Sequence, residues 1–422
     1  MIFSTNKAFI LITLAGTSPN MATGSHNHLR YNQQQDQRTL LDADEAPITG
    51  SPTNISSNLV EPDIQFREYF KNIRTAFSVN TIPYDSTIPF SKHEDDDLYE
   101  PNMNLNRKKC TVVGIGHVGS ALVSNLINKD LCGSIAMISP DEKKLKAQAE
   151  DFQQGSAFFP SSIEILASSK YDISADSDLV FVTAGVEPKS GGSRDDGLVE
   201  GVALMKEIIP QVISYSPSTS IVIVSNPADI LTAVANKIAG PAFPSGRIFG
   251  TGTYLDTSRL KTIIADSAGI DPSSVEGFMI GEHGPNSIPV WSSVHLGPLP
   301  LLTPGQEPDD TLKAIHQTVI NDGWDVVDGK GYTNWAIALT ATHIAEMVLN
   351  DTRSIVPVST CVRGLYGVEY DVYLSVPSVL TSNGISRIEV LPLTDSEQDI
   401  FQKSAKSMWT KQQTVWDSLN TM

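Results

Sequence analysis

From residue 107 onwards, short apolar runs alternate with segments whose apolar residues recur at helical spacing. The runs predict strands, and they read CTVVGIG, SIAMIS, DLVFVTAG, SIVIVSN and RIFGTG. Between the third and fourth runs, one face of a predicted helix gathers Leu198, Val202, Met205, Ile209 and Val212. Strands that are apolar throughout and alternate with helices indicate a parallel sheet covered on both faces.

Beyond residue 251 the pattern changes to a long helix, then paired strands, then further helices. We therefore predict an α/β protein: a Rossmann-type doubly wound parallel sheet at 107–251, followed by an α+β catalytic domain at 252–422. Residues 17 to about 62 are polar and aperiodic, and we predict a disordered N-terminal extension at 1–62. Residues 63–106 predict an arm or linker.

Composition and charge narrow the classes of function. A hydrophobic content of 40% and a charged content of 18% are typical of a globular protein. The net charge of −18 argues against a nucleic-acid partner. Three scattered cysteines predict neither a metal site nor a disulfide framework.

Hydropathy and the N-terminus bear on location. No apolar run reaches the roughly 18 residues of a membrane span. We expect a cytoplasmic protein without a membrane partner. The alternatives are a signal or targeting segment in residues 1–20, or a true start at Met21.

The segment VVGIGHVGS predicts a dinucleotide site. Gly114, Gly116 and Gly119 follow a strand and open a helix, so a diphosphate can approach the backbone at the helix N-terminus. The acidic residue expected about 20 positions later, for the ribose hydroxyl, is replaced by Ser139. NAD is the expected cofactor, with NADP as the alternative; Ser139 could also be a helix N-cap.

A second group of residues predicts proton transfer. His283 lies in a glycine-flanked turn, and Asp256 and Arg259 are three apart on a predicted helix, hence on one face. A carboxylate beside a histidine fixes its tautomer, and an arginine can bind a substrate carboxylate. Asn226 ends a predicted strand at the sheet edge where ligands bind. With a dinucleotide loop, these residues favour hydride transfer.

From about residue 107 to 419 the chain resembles the L-lactate dehydrogenases, within the lactate/malate dehydrogenase superfamily. The matching blocks are VVGIGHVG, VTAG…GGSR, IVSNP, GTGTYLDTSRL, GEHG, GKGYTNWAIA, VSTCVRGLYG and DVYLSVPSVL…NGIS. The resemblance implies hydride transfer between nicotinamide C4 and C2 of a 2-keto acid, and a homo-oligomer, usually a tetramer. The implied coenzyme contacts are Gly114, Gly116, His117, Val118, Gly119, Ser139, Thr183, Ala184, Gly185 and Asn226.

The resemblance also implies catalytic roles. His283 is the proton donor and acceptor, Asp256 orients it, and Arg259 binds the substrate carboxylate. Arg194, on a mobile glycine-rich loop, polarises the reacting carbonyl. The remaining substrate contacts are Asn226, which also touches the nicotinamide, and Thr333, which lines the pocket.

Four positions depart from the family pattern: Ser139, Gly201, Pro285 and Pro188. Pro188 stands where lactate enzymes have glutamine and malate enzymes have arginine. Because proline offers no hydrogen-bond donor, a second substrate carboxylate would go unpaired, which disfavours oxaloacetate. The expected function is an NAD-dependent L-lactate dehydrogenase acting on pyruvate. The alternatives are a malate or other 2-hydroxy-acid dehydrogenase and a weakly catalytic or non-catalytic binding paralogue.

Overall fold

The computed structural model describes residues 108–185 and 197–420, which lie in one compact unit. The N-terminal extension, the arm or linker, and the site residues Pro188 and Arg194 lie outside the described residues.

The first half is a parallel sheet with helices between its strands. Its elements are β1 (Lys109–Val113), α1 (His117–Asn128), β2 (Ser134–Ile138), α2 (Glu142–Gln154), β3 (Glu164–Ser168), β4 (Leu179–Val182), α3 (Leu198–Tyr215), β5 (Ser220–Ile223), α4 (Ala228–Ala239) and β6 (Ile248–Gly250). The strand order is β3-β2-β1-β4-β5-β6, all parallel. This doubly wound arrangement confirms the predicted Rossmann-type sheet.

Two details of this half differ from expectation. The pattern did not predict β3, an edge strand whose residues are mostly half-buried or exposed and so carry no continuous apolar run. Helix α2 begins after Asp141, whose carboxylate accepts a hydrogen bond from the backbone N–H of Lys144 at 3.0 Å. Asp141 is therefore the N-cap, and Ser139 is not.

The second half continues the same sheet with antiparallel strands. Its elements are α5 (Tyr254–Ala268), β7 (Val275–Glu276), β8 (Met279–Gly281), β9 (Ser287–Pro289), β10 (His295–Leu296), β11 (Leu299–Pro300), α6 (Asp310–Lys330), α7 (Trp335–Leu349), β12 (Ile355–Cys361), β13 (Tyr373–Thr381), β14 (Gly384–Ile388) and α8 (Asp395–Asn420). β12 pairs with β6, and β13, β8, β9 and β14 extend the sheet to eleven strands. β7, β10 and β11 form a separate three-stranded sheet.

The core lies on both faces of the large sheet. In β4, Leu179 and Phe181 pack into one apolar cluster, and Val180 and Val182 pack into another on the opposite face. All four are fully buried, which contributes roughly 1.5–3 kcal/mol per side chain. The predicted face of α3 packs into the second cluster. Among the described residues, none of the helices is both long and apolar enough to cross a bilayer.

Candidate active site

The glycine-rich turn between β1 and α1 leaves no room for side chains at two positions. Gly114 has φ +101°, and a Cβ there would lie 2.4 Å from the backbone nitrogen of Ala184. A Cβ on Gly119 would lie 2.1 Å from the carbonyl oxygen of Gly114. The same carbonyl accepts a hydrogen bond from Thr183 Oγ1 at 2.6 Å, which holds the turn against the end of β4. These glycines allow close packing of helix on strand.

Gly116 has the opposite environment, because a Cβ there would meet nothing within 4 Å. It is the N-cap of α1, and no described side chain caps that helix. The first N–H groups of α1 thus lack intrahelical acceptors beside an open space, as an incoming diphosphate requires. The residues present therefore fit a dinucleotide cofactor.

Other predicted coenzyme residues surround this turn. Ala184 and Gly185 follow β4, and the carbonyl of Ala184 accepts a hydrogen bond from Ser225 Oγ at 2.5 Å. Ser139 is half-buried directly after β2, at the same carboxyl edge of the sheet. Val118 packs partly buried against the core from the first turn of α1. The structure places these residues around the ends of β1, β2 and β4.

His117 connects the glycine turn to the second half of the chain. Its ring stacks on Tyr332 with 3.7 Å between centroids and 6° between planes. Tyr332 lies in the loop between α6 and α7, next to the half-buried Thr333. Lys330 Nζ lies 4.7 Å from the centroid of the Tyr332 ring. The predicted pocket residue Thr333 is thus adjacent to a residue that contacts the predicted coenzyme turn.

The residues predicted for proton transfer, His283, Asp256 and Arg259, lie in direct contact. Asp256 Oδ2 lies 2.6 Å from His283 Nδ1, and Asp256 Oδ1 lies 2.8 Å from a terminal nitrogen of Arg259. The three side chains are largely buried, with exposed fractions of 5% for Asp256, 12% for His283 and 15% for Arg259. One carboxylate therefore contacts both the imidazole and the guanidinium, and the i,i+3 spacing on α5 predicted that Asp256 and Arg259 share a face.

Buried hydrogen bonds fix α5 against β8, which precedes His283. Thr253 Oγ1 donates to the carbonyl of Met279 at 2.6 Å, and the N–H of Met279 donates to Thr257 Oγ1 at 2.9 Å. The N–H of Thr253 donates to Ser375 Oγ on β13 at 2.9 Å. These contacts tie the first turn of α5, which carries Asp256, to the strand that leads into the histidine turn.

Asn226 lies at the carboxyl end of β5 and is exposed, before a cis peptide bond to Pro227. Its Oδ1 accepts a hydrogen bond from the N–H of Ala228 at 3.3 Å. The side chain is thus placed at the edge where the sequence predicted a ligand contact. Pro285 is exposed in the turn after His283. Buried Gly201 lacks a side chain where a Cβ would lie 3.1 Å from Leu231.

The sequence pattern did not indicate Asp229, which lies on the first turn of α4. This carboxylate is 2% exposed, and its Oδ2 accepts a hydrogen bond from the backbone N–H of His283 at 2.8 Å. Burial raises the pKa of Asp229 to about 6. An acidic residue in a first helical turn ordinarily interacts with the helix dipole, so nothing in the local pattern distinguishes Asp229. The only signal was its place three residues after Asn226 in the SNPAD segment.

Glu282 is a second buried carboxylate beside His283, with an exposed fraction of 4%. It accepts a hydrogen bond from Asn286 Nδ2 at 2.5 Å and lies 3.3 Å from Lys411 Nζ on α8. The ammonium group of Lys411 therefore compensates the charge of Glu282. Within residues 108–185 and 197–420, no group of three or more His, Cys, Asp or Glu side chains has the arrangement of a metal site.

Comparisons with known proteins identify the family of the chain. Residues 108–250 match the NAD binding domain of the lactate/malate dehydrogenases, and residues 253–417 match their alpha/beta C-terminal domain. The L-lactate dehydrogenase C chain of Mus musculus is 39% identical over 317 residues, covering 74% of this chain and 95% of that protein.

Two further relatives show the same extent of similarity. The C chain of L-lactate dehydrogenase from Sus scrofa is 40% identical over 313 residues, which cover 73% of this chain and 93% of the relative. The B chain from Anguilla rostrata is 40% identical over 316 residues, covering 74% and 94%. The chain belongs to the lactate/malate dehydrogenase family, which confirms the resemblance seen in the sequence.

Proposed function

We propose that this protein is an NAD-dependent L-lactate dehydrogenase, which interconverts pyruvate and lactate. The observation that carries the proposal is the buried His283–Asp256–Arg259 group, in a chain 39–40% identical to L-lactate dehydrogenases. One carboxylate there places a proton donor and a carboxylate-binding cation side by side, as a 2-keto acid requires.

His283 handles the proton. Because Asp256 binds Nδ1, the imidazole presents Nε2 to the substrate oxygen. In pyruvate reduction, Nε2–H gives its proton to the carbonyl oxygen. NADH, when bound, would supply the hydride that C2 accepts. The buried Asp256 stabilises the imidazolium before the transfer, and lactate oxidation returns the proton to Nε2.

Arg259 orients the substrate. One of its terminal nitrogens is held by Asp256, and the remaining N–H groups are donors for the pyruvate carboxylate. Arg194 is proposed to close over the site and polarise the carbonyl. Asn226 and Thr333 are proposed to contact the substrate at the two sides of the pocket. The geometric restraint on the keto acid then comes mainly from the fixed Arg259.

Pro188 is the proposed substrate selector. It cannot donate a hydrogen bond to a second carboxylate, so pyruvate is favoured over oxaloacetate. The test is NADH oxidation with pyruvate, oxaloacetate and 2-ketoisocaproate in parallel. Pyruvate should give the largest kcat/KM. A larger value for either competitor would reassign the substrate, and no turnover by the folded protein with any of them would indicate a binding paralogue.

Ser139 is the proposed determinant of cofactor choice. A hydroxyl can bind the ribose of NAD but does not repel the 2′-phosphate of NADP. We propose NAD as the cofactor, with measurable NADP use. Comparison of kcat/KM for NADH and NADPH tests this; a large NADH preference would show that Ser139 does not relax selectivity.

The proposed assembly is a cytoplasmic homo-oligomer, most simply a tetramer, with domains at 107–251 and 252–422. Exposed apolar side chains support a self-association surface: Phe158 is 90% exposed, and Trp335 and Leu339, one turn apart on α7, are 61% and 56% exposed. Light scattering should give a mass that is a multiple of 45.6 kDa. A monomer would contradict the proposed assembly without affecting the proposed reaction.

A further inference from the structure

Asp229 contacts the backbone of His283 and not its ring. Asp256 holds the ring of His283, whereas Asp229 Oδ2 accepts the histidine's backbone N–H at 2.8 Å. Asp229 belongs to the part of the chain that matches the NAD binding domain, and His283 belongs to the C-terminal domain. The hydrogen bond therefore crosses from one domain to the other, beside the acid–base group.

The environment of Asp229 is unfavourable for a carboxylate with only a structural role. Its Oδ1 is buried and has no hydrogen-bond partner among the described residues, and the same holds for Ser359 Oγ on β12. Burial raises the pKa of Asp229, and the nearby Ser359 hydroxyl lowers it by less. Asp229 Oδ1 and Ser359 Oγ nevertheless lie outside hydrogen-bond geometry. A buried carboxylate with one unpaired oxygen is costly. An asparagine could instead donate to Ser359 and remove the charge.

We propose that Asp229 is a positioning residue for the reaction, fixing His283 relative to the nucleotide-binding half of the chain. Asp229 lies three residues after Asn226, so one short segment carries a proposed coenzyme contact and the support of the proton donor. Hydride transfer to C2 and proton transfer to the oxygen must occur on one bound substrate. Small errors in relative placement therefore lower the rate. This inference rests on the proposed function.

The carboxylate also adds negative charge near the imidazolium form of His283. Asp256 supplies the first such charge and is shared with Arg259. The charged and titratable groups around His283 on the packed elements are Asp256, Arg259, Asp229, Glu282, Lys411 and His316. Lys411 forms an ion pair with Glu282. Among the described ion pairs of this set, none joins Asp229 to a cationic side chain.

The first test separates the acceptor from the charge. Asp229→Asn keeps an oxygen for the His283 N–H, whereas Asp229→Leu has similar size and no acceptor. We expect Asp229→Leu to lower kcat for pyruvate about 100-fold, with KM for pyruvate and Kd for NADH within about threefold of wild type. Asp229→Asn should retain kcat within about threefold. Ser359→Ala, which alters the neighbour of Oδ1 but not His283, is the matched control and should retain full activity.

A second test does not depend on turnover. The backbone N–H of His283 reports on the carboxylate that accepts it, so its nitrogen and proton resonances should titrate with a midpoint at about pH 6 in wild type. In Asp229→Asn the contribution of the carboxylate to this titration should be lost, so the curve should differ from that of wild type.

Two results for the Asp229 variants would contradict its proposed role. It is overturned by an Asp229→Leu kcat within threefold of wild type, or by an Asp229→Asn loss as large as that of Asp229→Leu. If the leucine variant does not fold, the His283 amide titration decides, and a titration curve that is identical in Asp229→Asn and wild type overturns the proposal. Wild-type protein without pyruvate turnover would instead refute the proposed function, and the amide titration would still report on Asp229.

Discussion

At the residue scale, His283 is restrained from two directions by carboxylates of unequal character. Asp256 is paired with Arg259 as well as with the imidazole, so its charge is compensated. Asp229 has the histidine N–H as its hydrogen-bond donor and is otherwise desolvated. The first carboxylate suits charge stabilisation at the ring, and the second suits placement of the backbone.

Replacing the proposed proton donor should abolish catalysis but not cofactor binding. We expect His283→Asn to lower kcat for pyruvate by about 10²–10⁴-fold, the usual contribution of a positioned acid–base group. NADH binding, measured by fluorescence titration, should be unchanged because the imidazole acts on the substrate. His295→Asn, on the separate three-stranded sheet, is the control. Turnover close to wild type in His283→Asn would remove His283 from the proposed role.

Ionisation of Asp229 should destabilise the folded protein. Its pKa is about 6 when folded and 3.8 ordinarily, so the folded state loses stability as pH rises through this interval. The full loss is about 3 kcal/mol, and roughly half of it falls above pH 5. Asp229→Asn lacks this loss. Its stability relative to wild type, from urea unfolding, should increase by about 1.5 kcal/mol between pH 5 and pH 7.5.

The control for this pH dependence is Asp266→Asn, which changes an exposed carboxylate on α5. Its stability relative to wild type should vary little over the same interval. A relative stability of Asp229→Asn that stays constant from pH 5 to pH 7.5 would show that the carboxylate ionises as freely in the folded as in the unfolded chain.

The sequence predicted some site residues and not others for physical reasons. Asp256 and Arg259 were identified together because three-residue spacing on a helix determines a shared face. Asp229 could not be identified because its role depends on a contact with the backbone of a residue 54 positions away. Backbone acceptors of this kind leave no pattern in the side-chain types.

At the element scale, different glycines of the turn between β1 and α1 serve helix packing and ligand access. A Cβ at Gly119 would overlap the carbonyl of Gly114, whereas a Cβ at Gly116 would project into open space. The same residue type therefore serves two purposes within four positions. Gly119 brings α1 against the sheet, and Gly116 leaves the helix N-terminus open.

Alanine substitution should distinguish these two purposes. Gly119→Ala should lower stability by about 1–3 kcal/mol, because α1 must move away from the strand. Gly116→Ala should fold with nearly unchanged stability and raise the Kd for NADH by about tenfold or more, since its methyl occupies the approach of the diphosphate. Thermal unfolding and NADH fluorescence titration measure the two effects. Equal NADH affinity in Gly116→Ala and wild type would place the diphosphate elsewhere.

Strands with a continuous apolar run and helices with apolar residues at helical spacing were predicted, whereas β3 was not. The strands β1, β2, β4, β5 and β6 are apolar because both faces of the sheet are covered. β3 is at the edge of that sheet and mixes exposed and buried positions, so its residues carry no such run. The pairing of β6 with β12 was also not predicted, since it joins residues more than 100 positions apart.

At the scale of the whole molecule, the two domains share a single sheet through β6 and β12. Ser359 on β12 pairs with Gly250 on β6, and Gly250 approaches it so closely that a Cβ would lie 3.1 Å from the Ser359 Cβ. The hydrogen bond from His283 to Asp229 joins the same two domains a second time. The support of His283 therefore spans the two domains, which a shared sheet joins directly.

This shared sheet implies that the molecule cannot be dissected at residue 251. A fragment ending there would expose one side of β6 as an unpaired edge, together with apolar surface that the second half normally covers. We expect the fragment to aggregate on expression, whereas the full chain should unfold in one calorimetric transition. Two separate transitions would show instead that the halves are thermodynamically independent. Any engineered swap of substrate domains between relatives would therefore need to exchange β6 and β12 together, as partners in one ladder.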